Sequence, residues 1–189
     1  MKSVFAAAGL SVFLLACSAP PLAAAPDAAH AAQLDQLFQA LKNAKTETDG
    51  LAIEGQIVAV WLESGDPNID QQMQWAVAAM DANSWELALN YLNGIILNKP
   101  DYAEGWNKRA TLYFFIGQYD ESLSDIAHTL ALEPRHFGAI AGMGMIMQAL
   151  GEDEKALAAY KQALTIDPQL TNIQLEVFLL EDKLKGKRI

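Results

Sequence analysis

A spacing of 34 residues constrains this chain more than any other feature. Pro100, Pro134 and Pro168 recur at that interval, and Gly117 is followed at the same interval by Gly151. Proline ends a helix and glycine accepts the left-handed backbone of a tight turn, so each period reads as helix, turn, helix, exit. The residues between the marks agree. Trp85, Ala88, Leu92, Ile95 and Ile96 fall on one face at helical spacing. A hairpin this short cannot bury its apolar faces alone, so the fold must be a stack in which neighbouring hairpins cover one another. The class is therefore all-α.

Three periods are legible, 69–102, 103–136 and 137–170. In the first, Trp75 and Ala76 supply a large residue followed by a small one, and Asn83 stands where the later periods have glycine. Asn is the residue after glycine that best tolerates positive φ. The second carries Trp106, Ala110, Tyr113, Gly117, Tyr119, Leu130 and Pro134, with Ser122 in place of a small apolar residue. The third carries Gly144, Ala156, Tyr160, Ala163 and Leu164. This pattern resembles the tetratricopeptide repeat, whose implied fold is a solenoid of helical hairpins. Gly142 and Gly144 form a Gly-x-Gly word inside a helical period with no preceding strand, which reads as close helix packing rather than a phosphate loop.

The flanks are different. Residues 33–68 hold two amphipathic stretches, one with Leu34, Leu37, Phe38 and Leu41, the other with Ile53, Ile57, Val60 and Trp61. They form a helical hairpin, read as a degenerate repeat or cap because Pro67 is one residue out of phase with the later prolines. Residues 171–189 read as a capping helix, whose Gln174, Glu176, Glu181 and Asp182 are expected to solvate the end of the stack, followed by a basic tail. Residues 1–16 have a signal peptide's layout, a positive start at Lys2 and then an apolar run from Val4 to Ala16. Leu14, Leu15, Ala16 and Cys17 resemble a bacterial lipobox, with Cys17 as the lipid attachment site; ordinary cleavage near Ala24 is the alternative. Residues 17–32 are Ala/Pro-rich and read as a linker, spanning at most ~45 Å and leaving His30 solvated. The expected location is the periplasm or outer membrane.

Composition excludes several functions. The formal net charge is -10, from 13 basic and 23 acidic residues, which opposes nucleic-acid binding. Cys17 is the single cysteine, so neither an internal disulfide nor a thiolate metal site is available. No nucleophile, zinc or nucleotide motif is present, which points to a non-enzymatic protein without metal or cofactor. His128 is expected to be a partly buried, hydrogen-bonded histidine within its helix.

Ala103 to Thr111 (AEGWNKRAT) and Leu132 to Ala139 (LEPRHFGA) resemble a family of small exported tetratricopeptide-repeat proteins, frequent in alphaproteobacteria. That resemblance implies fold and export, not an activity. In repeat domains that clamp acidic chaperone C-termini, Asn, Lys and Arg occupy positions that here read Lys108, Gly138 and Gly142, so that clamp is missing. The expected function is a scaffold that binds a protein or peptide partner. The alternative is a self-associating structural protein whose groove is filled by its own termini.

In stacked repeats the first helices line the concave side, and their fifth, ninth and twelfth residues share a face. The rule selects Met73, Val77 and Met80, then Asn107, Thr111 and Phe114, then Ala141, Met145 and Gln148. Lys108 borders that face, and Arg135 and His136 follow the second repeat's exit, so the expected ligand is an apolar segment carrying an acidic residue. Arg109 stands where leucine is usual in this repeat and is expected to pair with Asp125 inside the hairpin.

Overall fold

The computed structural model describes residues 28–186, all of whose regular elements are helices. They are α1 (Ala28–Lys42), α2 (Glu47–Leu62), α3 (Pro67–Asp81), α4 (Trp85–Asn98), α5 (Ala103–Phe115), α6 (Tyr119–Leu132), α7 (Phe137–Ala149), α8 (Asp153–Ile166) and α9 (Thr171–Gly186). Local chemistry places their ends. Asp66 accepts the backbone N–H of Asn68 at 2.8 Å just ahead of Pro67, so α3 starts with a capped first turn and a proline whose missing donor costs nothing there. Asn83, Gly117 and Gly151 turn the three hairpins with φ of 54°, 76° and 77°.

The three hairpins α3–α4, α5–α6 and α7–α8 stack in chain order, with α9 lying against α8 as the first half of a further repeat. Each hairpin closes over a small residue in its first helix. Ala76 and Ala110 are buried, and at Gly144 an added Cβ would lie 2.5 Å from the Tyr160 ring. Close packing thus explains Gly144, whereas Gly142 has room, its nearest neighbour being Ile126 at 3.8 Å. Ser122 is buried yet satisfied, because its hydroxyl donates to the Ala110 carbonyl at 2.7 Å and so ties the two helices together.

The N-terminal hairpin does not extend the stack. Its second helix, α2, runs along the row of loops that join one repeat to the next. Tyr102, His136 and Leu170 are equivalents one repeat apart, and each meets it. The Tyr102 hydroxyl donates to the Leu62 carbonyl at 3.0 Å, His136 stacks on Trp61 with ring centroids 4.0 Å apart, and Leu170 packs against the buried cluster that holds Ile57, Val60 and Trp61 of α2. At the far end the Gln169 side chain covers Gly50, and the Thr171 hydroxyl donates to Glu47 at 3.0 Å. The residues beneath explain the placement. Phe38, Trp61 and Phe137 share a buried cluster, and each large apolar side chain removed from water contributes about 2 kcal/mol.

Three expectations change here. Helix α1 begins at Ala28, inside the stretch read as linker, because its alanines favour helix and Leu34 docks; His30 accordingly sits in a helix, 3.4 Å from the Glu63 carboxylate. The exposed surface of α9 is apolar in part and not purely solvating, since Leu175, Phe178 and Leu179 are all exposed, Phe178 by 67%. The ring of His128 stacks on Trp106 at the surface, with centroids 4.2 Å apart, instead of lying partly buried. The proposed signal segment 1–16, Cys17 and the start of the linker lie outside the described residues.

Candidate functional site

The inner faces of α3 and α5 border an open cleft of about 380 Å³, lined by Val77, Met80, Asp81, Asn83, Trp85, Lys108, Thr111 and Phe115. A second cleft of about 400 Å³ continues along α3 toward the end of α2, past Met73, Gln74, Asp70 and Leu62. Val77 and Asp81 belong to both, so the two form one groove. Met80 and Thr111, read from helical spacing as groove residues, stand in its wall.

Other selected residues are placed differently. Met73 is 3% exposed and serves the core of the first repeat, with only its edge reaching the cleft. Phe114 turns inward onto Tyr119, with ring centroids 5.9 Å apart, while its neighbour Phe115 is exposed and faces the cleft. The spacing rule reaches Phe115 if it is continued one turn past the ninth position, from Thr111 to Phe115 as from Val77 to Asp81. Asn107 donates to Glu104 at 3.1 Å, and the Thr111 hydroxyl donates to the Asn107 carbonyl at 2.9 Å. In the third repeat Ala141 is buried and Met145 is exposed. Gln148 accepts from the Tyr160 hydroxyl at 2.8 Å and donates to Glu176 at 3.0 Å, linking α7, α8 and α9. Burial, and then the nearby Glu176 charge, push the Tyr160 phenol up to about 12, so it stays a neutral donor at physiological pH.

The cations expected to meet an acidic partner are engaged within the chain. His136 is 2% exposed and caps α7, its Nδ1 accepting the Ala139 N–H at 3.1 Å. That leaves Nε2 as the protonated nitrogen, which donates to Glu104 at 2.9 Å. Glu104 is itself buried and also holds the Lys108 ammonium at 3.0 Å. Burial alone would raise the Glu104 carboxyl, but the hydrogen bond from His136 and the Lys108 charge hold it below the ordinary carboxylate range. Arg135 binds Glu133 at 2.9 Å and Asp35 at 2.6 Å, with its guanidinium 4.4 Å from the centre of the Phe38 ring. Arg135 and His136 thus fasten the N-terminal hairpin and do not border the groove.

Arg109 behaves as read. Its Nε and Nη2 meet the two oxygens of Asp125 at 2.7 and 2.8 Å, and Nη1 reaches Asn93 of the preceding repeat at 2.7 Å. Trp106 closes the neighbouring loop by donating to the Pro100 carbonyl at 2.9 Å. Among the described residues no group of three or more His, Cys, Asp or Glu side chains is arranged to hold a metal ion.

Stacked hairpins with a groove along their first helices define an interaction scaffold of the helical-repeat class. The tetratricopeptide repeat family profile matches residues 139–170. A TPR repeat-containing protein of Rhizobium etli is 43% identical over 156 residues, which cover 82% of this chain and 76% of that one. The chain belongs to the tetratricopeptide-repeat proteins. Among solved structures, the first TPR of Spaghetti (RPAP3) bound to the HSP90 peptide SRMEEVD is 18% identical, with a TM-score of 0.58 over 62% of this chain and 93% of that one. MamA is 20% identical, with a TM-score of 0.58 over 69% of this chain and 77% of that one.

Proposed function

We propose that this protein is a non-enzymatic scaffold of the bacterial envelope that holds a segment of a protein partner in the groove along α3 and α5. The observation that carries the reading is that groove: apolar side chains of Val77, Met80, Trp85 and Phe115 converge from α3, α4 and α5 on one open cleft beside Lys108 and Asp81. The family supports it, and so does the RPAP3 relative in fold, whose structure carries a bound peptide. Export rests on the signal layout of residues 1–16, and membrane attachment on acylation of Cys17. The reading in which the groove is filled by the chain's own termini is not favoured, because the described hairpin lies along the loop edge and only Leu62 reaches the cleft.

The test is photocrosslinking in the native cell. A photoreactive side chain at Thr111 or Phe115 is expected to capture a protein partner in the membrane fraction, and one at Glu121 on the second helix of the same repeat is not. Capture from Glu121 but not from either groove position would overturn the assignment.

A further inference from the structure

The repeat register extends the groove beyond the two clefts and gives it a charge. Leu179 on α9 occupies the place held by Val77, Thr111 and Met145 in the three full repeats, and Leu175 occupies that of Met73, Asn107 and Ala141. Both leucines are exposed, as is Met145. The Gln148 to Glu176 hydrogen bond joins α7 to α9, so the register that lines the clefts at α3 and α5 is carried on through α7 to α9.

Two cations on the row are neutralised by carboxylates of the chain. Lys108 is held by Glu104 at 3.0 Å, and Lys183, the equivalent of Asp81 on α9, is held by Asp153 at 2.8 Å. The acids are not matched in this way. Asp81 and Asp182 are exposed and, among the described residues, make no ion pair or side-chain hydrogen bond. Asp70 is half-buried and receives one backbone N–H, from Ser64. Glu176 receives only the Gln148 amide. Among the described residues, four carboxylates thus border the apolar row and outnumber the exposed Lys185 at its α9 end, in a protein whose net charge is already -10.

From this we infer that the groove takes a cationic amphipathic peptide segment, in which apolar side chains seat on Val77, Met80, Phe115, Met145 and Leu179 while lysines or arginines meet Asp81 and Asp182. The inference rests on the groove being the partner site, and it adds the partner's chemistry. It reverses the acidic ligand expected from sequence, because the three cations behind that expectation are consumed internally. An acidic segment would place like charges beside these carboxylates, which disfavours it through repulsion as well as lost pairing.

The experiment uses the purified protein and two short fluorescein-labelled peptides of identical apolar pattern, one Leu/Lys and one Leu/Glu, titrated by anisotropy. The Leu/Lys peptide is expected to bind at least about tenfold more tightly, with an advantage that shrinks as salt screens it. Bulk attraction to an acidic protein is separated from groove recognition by two variants of equal charge. Asp81→Asn with Asp182→Asn is expected to weaken Leu/Lys binding about fivefold or more, whereas Glu121→Gln with Glu154→Gln on the second helices changes it less than about twofold. Equal losses in both variants would overturn the inference. A Leu/Glu peptide that binds more tightly and is lost in Phe115→Gln would also overturn it, while leaving the groove as the partner site. Binding of either peptide that ignores both Phe115→Gln and Met145→Gln would instead remove the groove reading itself.

Discussion

The guanidinium of Arg109 shows how one side chain can join three helices. Its bidentate bond to Asp125 closes the second hairpin, and its third contact, to Asn93, reaches back into the first repeat. Asp125 is almost fully buried, and the bond to Asp125, reduced in part by burial, raises the arginine's affinity for its proton further. Removing one member of such a pair strands the other in a poor solvent. Arg109→Ala is expected to lower stability by about 3 kcal/mol in urea unfolding, because the Asp125 carboxylate is left without its counter-ion. Pairing it with Asp125→Asn should recover part of that loss, and a double-mutant cycle reads the coupling directly. Additive losses would show that the contact contributes nothing of its own. The sequence made this pair legible because a charged residue stood at a usually apolar position, with an acid of opposite sign one helix later.

At the scale of elements, the stack and the N-terminal hairpin obey different rules. Each full hairpin closes over Ala76, Ala110 or Gly144 and then meets the next through a repeated interface, so its geometry is local and follows the period. The α1–α2 hairpin is held by contacts between residues far apart in sequence. Trp61 is the centre of that attachment, stacked on His136 and 5.0 Å from the Phe137 ring. Trp61→Ala is expected to cost about 3 kcal/mol at this interface, the usual range for truncating a buried aromatic. Amides of α1 and α2 should then exchange with solvent much faster while those of α5 to α8 keep their protection, because loss of an edge element does not propagate through a repeat stack. Uniform loss of protection over all helices would mean that the hairpin and the stack unfold as one unit.

For the whole molecule, acidity acts on the hairpin attachment in two opposite directions. Glu104 has its folded carboxyl held below the ordinary value of 4.5, so its contribution is present above that value and is lost as the pH falls through the depressed one. Asp167 and Glu54 do the reverse. Burial raises Asp167, whose second oxygen has no hydrogen-bond partner, and burial together with the Asp167 charge raises Glu54 on α2. Their contribution is present below the unfolded values and is lost as the pH rises through the raised ones. The repeat one step earlier shows what is missing, since Glu133, the equivalent of Asp167, receives Arg135 where the third repeat has Gln169. Asp167→Asn is expected to gain about 1 kcal/mol near neutral pH, because the amide keeps the bond from the Gln169 N–H without a stranded charge. At about pH 4 the gain should vanish, and urea midpoints measured at both values check it. A gain that persisted in acid would assign the effect to packing and not to charge.

By itself the sequence determined the elements, the period and the register, including the positive φ of Asn83, because these depend on residues close together along the chain: turn chemistry, helical spacing and the small residue at each helix contact. It also determined the Arg109 to Asp125 pair, whose partners lie within one hairpin. Only the tertiary structure decided where the N-terminal hairpin lies, that Arg135 and His136 are spent fastening it, and that Phe115 and not Phe114 faces the groove. Those outcomes depend on which distant surfaces meet. The charge of a groove is the sum of what remains after the chain has paired its own ions across such distances, and spacing along one helix carries no record of that pairing.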